Sequence, residues 1–161
     1  MSPHLGLILM KPRFDYHKAA PEAFVPMLAL SNYVRDCGLE HSLGELVKIR
    51  ASQLNGCAYC LEMHTRDARE HGETEARLHL LAAWQESPLY TPRERAALAW
   101  TEAITLLATS RAPDDIYAEV RAQFTENELV KLTLMIGVIN TWNRFAVGFR
   151  AVHPVPQPAH A

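Results

Sequence analysis

Residues 44–64 read GELVKIRASQLNGCAYCLEMH, and this stretch decides both the fold class and the place to look for chemistry. Apolar residues recur at intervals of three and four instead of alternating, so the segments on either side of Asn55–Gly56 read as amphipathic helices. Asn55 and Gly56 end the first of them, Leu43 to Leu54. Ser42 offers a hydroxyl cap with Glu45 three residues later, which predicts a capping box at its start. The second helix starts around Cys57 and Ala58 and runs through Leu61, His64 and Ala68 to His71, where Gly72 supplies a left-handed stop. Cys57, Cys60 and His64 then stand at intervals of three and four. At 3.6 residues per turn they fall within about 60° of one helix face, so their side chains can meet.

The same periodicity continues outward. Pro21 opens a helix through Phe24, Leu28 and Val34 that stops near Cys37 and Gly38. A short helix carries Leu78, Leu80, Leu81 and Trp84. Thr91, Pro92 and Glu94 predict a capped helix through Leu98, Ile104 and Leu107. Pro113 begins another through Tyr117 and Val120, and Thr125 with Glu128 caps the last, which extends to about Phe149. No strand is expected and no low-complexity linker separates the segments. The expected fold is all-α, a compact array of antiparallel helical neighbours with the CxxC at a helix N-terminus. The expected division is an N-terminal extension over 1–12, one helical domain over 13–150 and a mobile tail over 151–161.

Composition narrows the function. The chain has 161 residues, 48% hydrophobic and 21% charged, which is ordinary globular usage. A formal net charge of -2 leaves no positive field for phosphate neutralisation, so nucleic acid is not an expected partner. No stretch approaches the roughly 20 apolar residues that span a bilayer. The run Leu5 to Met10 is too short for a signal-peptide core. The expected location is therefore cytoplasmic. In such a compartment three cysteines, two of them in a CxxC, point to chemistry and not to a disulfide scaffold.

Cys57 falls at a helix start, where free amides and the macrodipole favour a thiolate. A CxxC can close a disulfide across one turn, so one sulfur can attack a substrate and the other resolve the sulfenic acid, with no cofactor. His64, one turn beyond Cys60, can accept or relay the proton, and it needs a partner to fix its tautomer. Glu45 on the preceding helix is the candidate, although residue by residue the capping box is the stronger explanation of it. The same thiols with His64 could bind zinc, but a fourth ligand would have to be Glu45 or a remote group. Cys37 reads as a small packed residue. His4, His17, His41, His71, His79, His153 and His160 show no metal spacing and read as surface positions. Trp84, Trp100 and Trp142 lie on apolar stripes and read as packing.

The spacing Glu45, eleven residues, Cys57-x-x-Cys60, three residues, His64 resembles the AhpD-like alkylhydroperoxidase branch of the carboxymuconolactone decarboxylase family. The resemblance extends through RFDYHKAAPEAF, TPRERAALAWTEAITL and INTWNRFAVGF and covers nearly all of the chain after about residue 12. It implies an all-helical homo-oligomer, trimer or hexamer, that reduces alkyl or hydrogen peroxides at the expense of a separate dithiol reductant protein. By position it implies that Cys60 attacks, Cys57 resolves, and His64 with Glu45 forms the proton relay. One departure is Tyr59, which stands where better-studied members carry a second histidine. A phenol titrating near pH 10 cannot serve as a base at pH 7. The expected function is a thiol-dependent peroxidase; the alternative is a non-catalytic redox sensor or disulfide-exchange protein built on the same CxxC.

Overall fold

A computed structural model describes residues 10–155. The helices are α1 (Tyr16–Ala19), α2 (Pro21–Arg35), α3 (His41–Leu54), α4 (Ala58–Glu70), α5 (Glu75–Leu80), α6 (Pro92–Thr105), α7 (Leu107–Ser110), α8 (Asp114–Gln123) and α9 (Glu126–Phe149), with a 3₁₀ segment, Leu81–Glu86, after α5. Among the described residues there is no strand, as the periodicity predicts. Most of the extension expected over 1–12 and of the tail expected over 151–161 lies outside the described residues.

α3 is the axis of the molecule. Leu43, Leu46, Val47, Ile49 and Ala51 are buried on more than one of its sides, because α4, α6 and α9 all pack on it. One part of the core gathers Leu43, Val47, Ala97, Trp100, Leu132 and Ile136. Another joins Leu46 and Ile49 to Leu78, Leu81, Trp84 and Leu98. Cys37 is buried in the first of these, and Trp84 and Trp100 are buried as expected.

The caps at Thr91 and Thr125 form as complete capping boxes with Glu94 and Glu128. The box expected at Ser42 and Glu45 does not form. α3 starts earlier than that box requires, with Glu40 as its extended N-cap and no side-chain cap hydrogen bond. The reason is tertiary: Glu45 is 3% exposed and its carboxylate is engaged inside the protein, so it cannot reach back to the helix start. Glu40 instead holds Arg93 at 2.8 Å, and Arg93 also binds Glu128 and the Gln123 carbonyl, tying the starts of α3, α6 and α9 together.

Two other boundaries differ from the expected ones. The helix expected through Leu81 and Trp84 changes to 3₁₀ geometry there, with Ala83 outside helical angles. Spacing by three keeps Leu81 and Trp84 on one face in a 3₁₀ turn, and both are buried. The helix expected to reach Leu107 stops at Thr105, and Leu106 and Leu107 are exposed beyond it.

Candidate active site

The site is built on the α3–α4 hairpin and closed from behind by α9. Gly56 takes the left-handed conformation (φ 64°) that lets the chain reverse, and the Cys57 amide donates to the Ser52 carbonyl at 2.9 Å. Cys57 is thereby fixed as the N-cap of α4. Its Sγ accepts from the Cys60 backbone N–H at 3.4 Å. Both sulfurs are buried, with Cys57 fully enclosed and Cys60 2% exposed. Ala51, Ile139 and Ala146 surround them.

Two thiols so placed share the first ionisation. The Cys60 thiol donates toward Cys57, and together with the Cys60 amide it outweighs burial and holds the Cys57 thiol down at about 7. Cys60 moves the other way, since donating to Cys57, burial and the Cys57 charge all favour its neutral form. The first-turn amides of Cys60 and Tyr59 add to the lowering at Cys57, but its largest cause is the Cys60 thiol.

His64 and Glu45 meet as expected, with Nδ1 2.9 Å from Oε2. Burial pushes the Glu45 carboxyl up, but the His64 hydrogen bond and the Lys48 ammonium prevail and bring it to about 2. Glu45 is therefore a carboxylate, and Nδ1–H of His64 is the donor. Nε2 makes no hydrogen bond, and no buried side-chain nitrogen or oxygen lacks a partner among the described residues. That nitrogen accordingly opens on a cleft.

The cleft encloses about 690 Å³ between residues of α2, α3, α4 and α9. Tyr59, Cys60, Met63 and His64 form its inner wall, and Cys57 does not reach it. Tyr16, Leu28, Val138, Ile139 and Trp142 make much of the rest apolar. His17, His41 and His71, expected simply at the surface, also line this cleft, with the His41 and His71 rings 4.1 Å apart. Trp142 is a cleft wall more than a core residue, and its Nε1 donates to Ser31 at 2.9 Å. His4 and His160 lie outside the described residues.

The sequence reading missed Lys48, Tyr16 and a set of amides, Asn55, Asn140 and Asn143. A signal for the last two existed: three residues apart, they interrupt the otherwise apolar buried face of α9. Burial pushes the Tyr16 phenol up. Among the described residues no three His, Cys, Asp or Glu side chains are arranged to hold a metal ion.

The geometry defines a class: an all-helical protein whose buried CxxC dithiol is backed by a carboxylate–imidazole pair. Residues 19–103, which carry all four of those side chains, match the carboxymuconolactone decarboxylase family. The chain belongs to that family, in its AhpD-like branch. It is 44% identical to the uncharacterized protein YdfG of Bacillus subtilis over 86% of this chain and 94% of that one. A crystal structure of an Agrobacterium tumefaciens protein of unknown function, whose description links it provisionally to the antioxidant defence protein AhpD, is similar at 51% identity. Its TM-score is 0.89, over 91% of this chain and all of that one. The debrominase Bmp8 shares the fold alone, at 18% identity and a TM-score of 0.77 over 85% of this chain and 74% of that one. No helix among the described residues is long and apolar enough to cross a membrane.

Proposed function

We propose that the chain is a thiol-dependent peroxidase in which Cys60 attacks, Cys57 resolves, and His64 with Glu45 carries the proton. One observation supports this assignment above the others: the cleft reaches Cys60 and His64 but not Cys57. The first thiol proton passes to His64 Nε2, and the Glu45 carboxylate stabilises the resulting imidazolium. As the peroxide enters, the proton remaining between the sulfurs moves from Cys60 to Cys57. The Cys60 thiolate then attacks the O–O bond, giving a sulfenic acid and an alkoxide that takes its proton from His64. Cys57 displaces the sulfenic hydroxyl as water and closes the disulfide. Two thiols and one peroxide thus yield a disulfide, an alcohol and water, and an external dithiol restores the pair.

The fold does not choose the substrate, since a debrominase shares it. The cleft does inform the choice. Its volume is many times the ~30 Å³ share of one water molecule, leaving room beside Cys60 for the organic part of an alkyl hydroperoxide. A non-catalytic sensor would need no such chamber. The test is stopped-flow consumption of a small alkyl hydroperoxide by reduced protein, with thiols counted before and after. Loss of two thiols per peroxide is expected; thiols that remain reduced would exclude peroxide as the substrate.

Tyr59 lines the cleft next to Cys60, so an imidazole there would face the reacting oxygens. Tyr59→His is expected to raise the peroxidase rate by on the order of tenfold through a second proton donor. An unchanged rate would show that proton supply is not limiting.

A further inference from the structure

Asn143 sits on α9 between Ile139 and Ala146, the two side chains that cover the dithiol, and is 1% exposed. A chain of hydrogen bonds fixes which way its amide points. Asn140 Nδ2 donates to the Ile136 carbonyl, which can only accept, so Asn140 Oδ1 is an acceptor. Asn55 Nδ2 donates to that oxygen at 3.0 Å and to Asn143 Oδ1 at 2.9 Å. The Asn143 oxygen is thus turned toward Asn55. Its Nδ2 must face the other way, where one N–H donates to Ser52 Oγ at 3.0 Å. The Ser52 hydroxyl has its own proton directed to the Lys48 carbonyl at 2.7 Å, so it accepts from Asn143.

One Asn143 N–H is left, on the enclosed face of α9 whose Ile139 and Ala146 pack in one cluster with Cys57 and Cys60. An N–H in this sealed position has no water to turn to. We propose that Asn143 is a thiolate-binding residue of the dithiol site: its second amide N–H donates to the sulfur that carries the charge, on whichever cysteine the charge resides. The Asn55–Asn140–Ser52 network holds that donor in place before ionisation, so no reorganisation is needed when the charge appears. The proposal rests on the dithiol chemistry proposed above, but it does not require that peroxide be the oxidant.

The experiment therefore reads thiol ionisation, which needs no substrate. The rate of alkylation of reduced protein by iodoacetamide is followed against pH, together with thiolate absorbance in the ultraviolet. The wild-type midpoint is expected near 7. In Asn143→Ala, checked for folding by circular dichroism, the midpoint is expected to rise by about one unit, cutting alkylation at neutral pH by about fivefold. If that variant does not fold, ¹⁵N-labelled wild-type protein answers the same question, because the Asn143 side-chain amide protons should shift with the thiol midpoint. A folded Asn143→Ala with an unmoved midpoint, or amide protons indifferent to thiol ionisation, would overturn the proposal. Failure of peroxide reduction with a shifted Asn143→Ala midpoint would instead reject only the substrate.

Discussion

Reduced Cys60→Ser protein is expected to consume alkyl hydroperoxide at least roughly three orders of magnitude more slowly than wild type, because the thiol that borders the cleft is gone. Cys57→Ser should behave differently. Its Cys60 still meets the peroxide, so one equivalent should be consumed and a sulfenic acid should persist, trapped by dimedone and seen by mass spectrometry. No intramolecular disulfide can follow, and turnover with an external dithiol should fall sharply. The asymmetry comes from burial: Cys57 is fully enclosed, whereas Cys60 shares the cleft wall with His64. The low thiol value near 7 at Cys57 does not reverse these roles, since the two sulfurs share a proton that can move between them. Persistent sulfenic acid in Cys60→Ser instead of Cys57→Ser would reverse the assignment.

Glu45→Gln is expected to lower kcat/KM by about a hundredfold and to destabilise the protein. The carboxyl falls from 4.5 to about 2 in the folded state. A group with a depressed folded value contributes stability that is complete above the unfolded value and is lost as pH falls through the folded one. Ionised Glu45 should thus add roughly 3 kcal/mol at neutral pH, lost between about 4.5 and 2. Urea unfolding at a series of pH values checks this. The wild-type and Glu45→Gln curves should lie furthest apart near neutrality and converge in acid. Part of the acid slope should survive in the variant, because Glu128 is also held near 2, by the Thr125 amide and then Arg93. A gap that does not close in acid would mean that the neutral amide disrupts packing and that the charge itself contributes little.

Much of the site could be read in advance because it lies on two consecutive helices. Cys60 and His64 share one face of α4 by helical period, Cys57 caps its start, and the Asn55–Gly56 turn brings α3 back beside it. The Ser42–Glu45 capping box was the stronger local signal for Glu45, and it failed because Glu45 had a stronger partner nineteen residues away. Local hydrogen bonding to an exposed helix end cannot compete with a buried carboxylate that holds a histidine and a lysine. The 3₁₀ segment at Leu81–Glu86 has the same origin, since packing of Trp84 and Leu81 overrode the regular α-helical period.

By itself, the sequence determined the helical class, the hairpin that carries the dithiol, and the register of Cys57, Cys60 and His64, because each depends on residues within a few turns of one another. Only the tertiary structure decided which cysteine borders the cleft, which nitrogen His64 directs at it, and that Asn143 is enclosed between Ile139 and Ala146. Those outcomes depend on how α9 and α2 lie against the hairpin, and residues separated by most of the chain carry no local signal of their meeting.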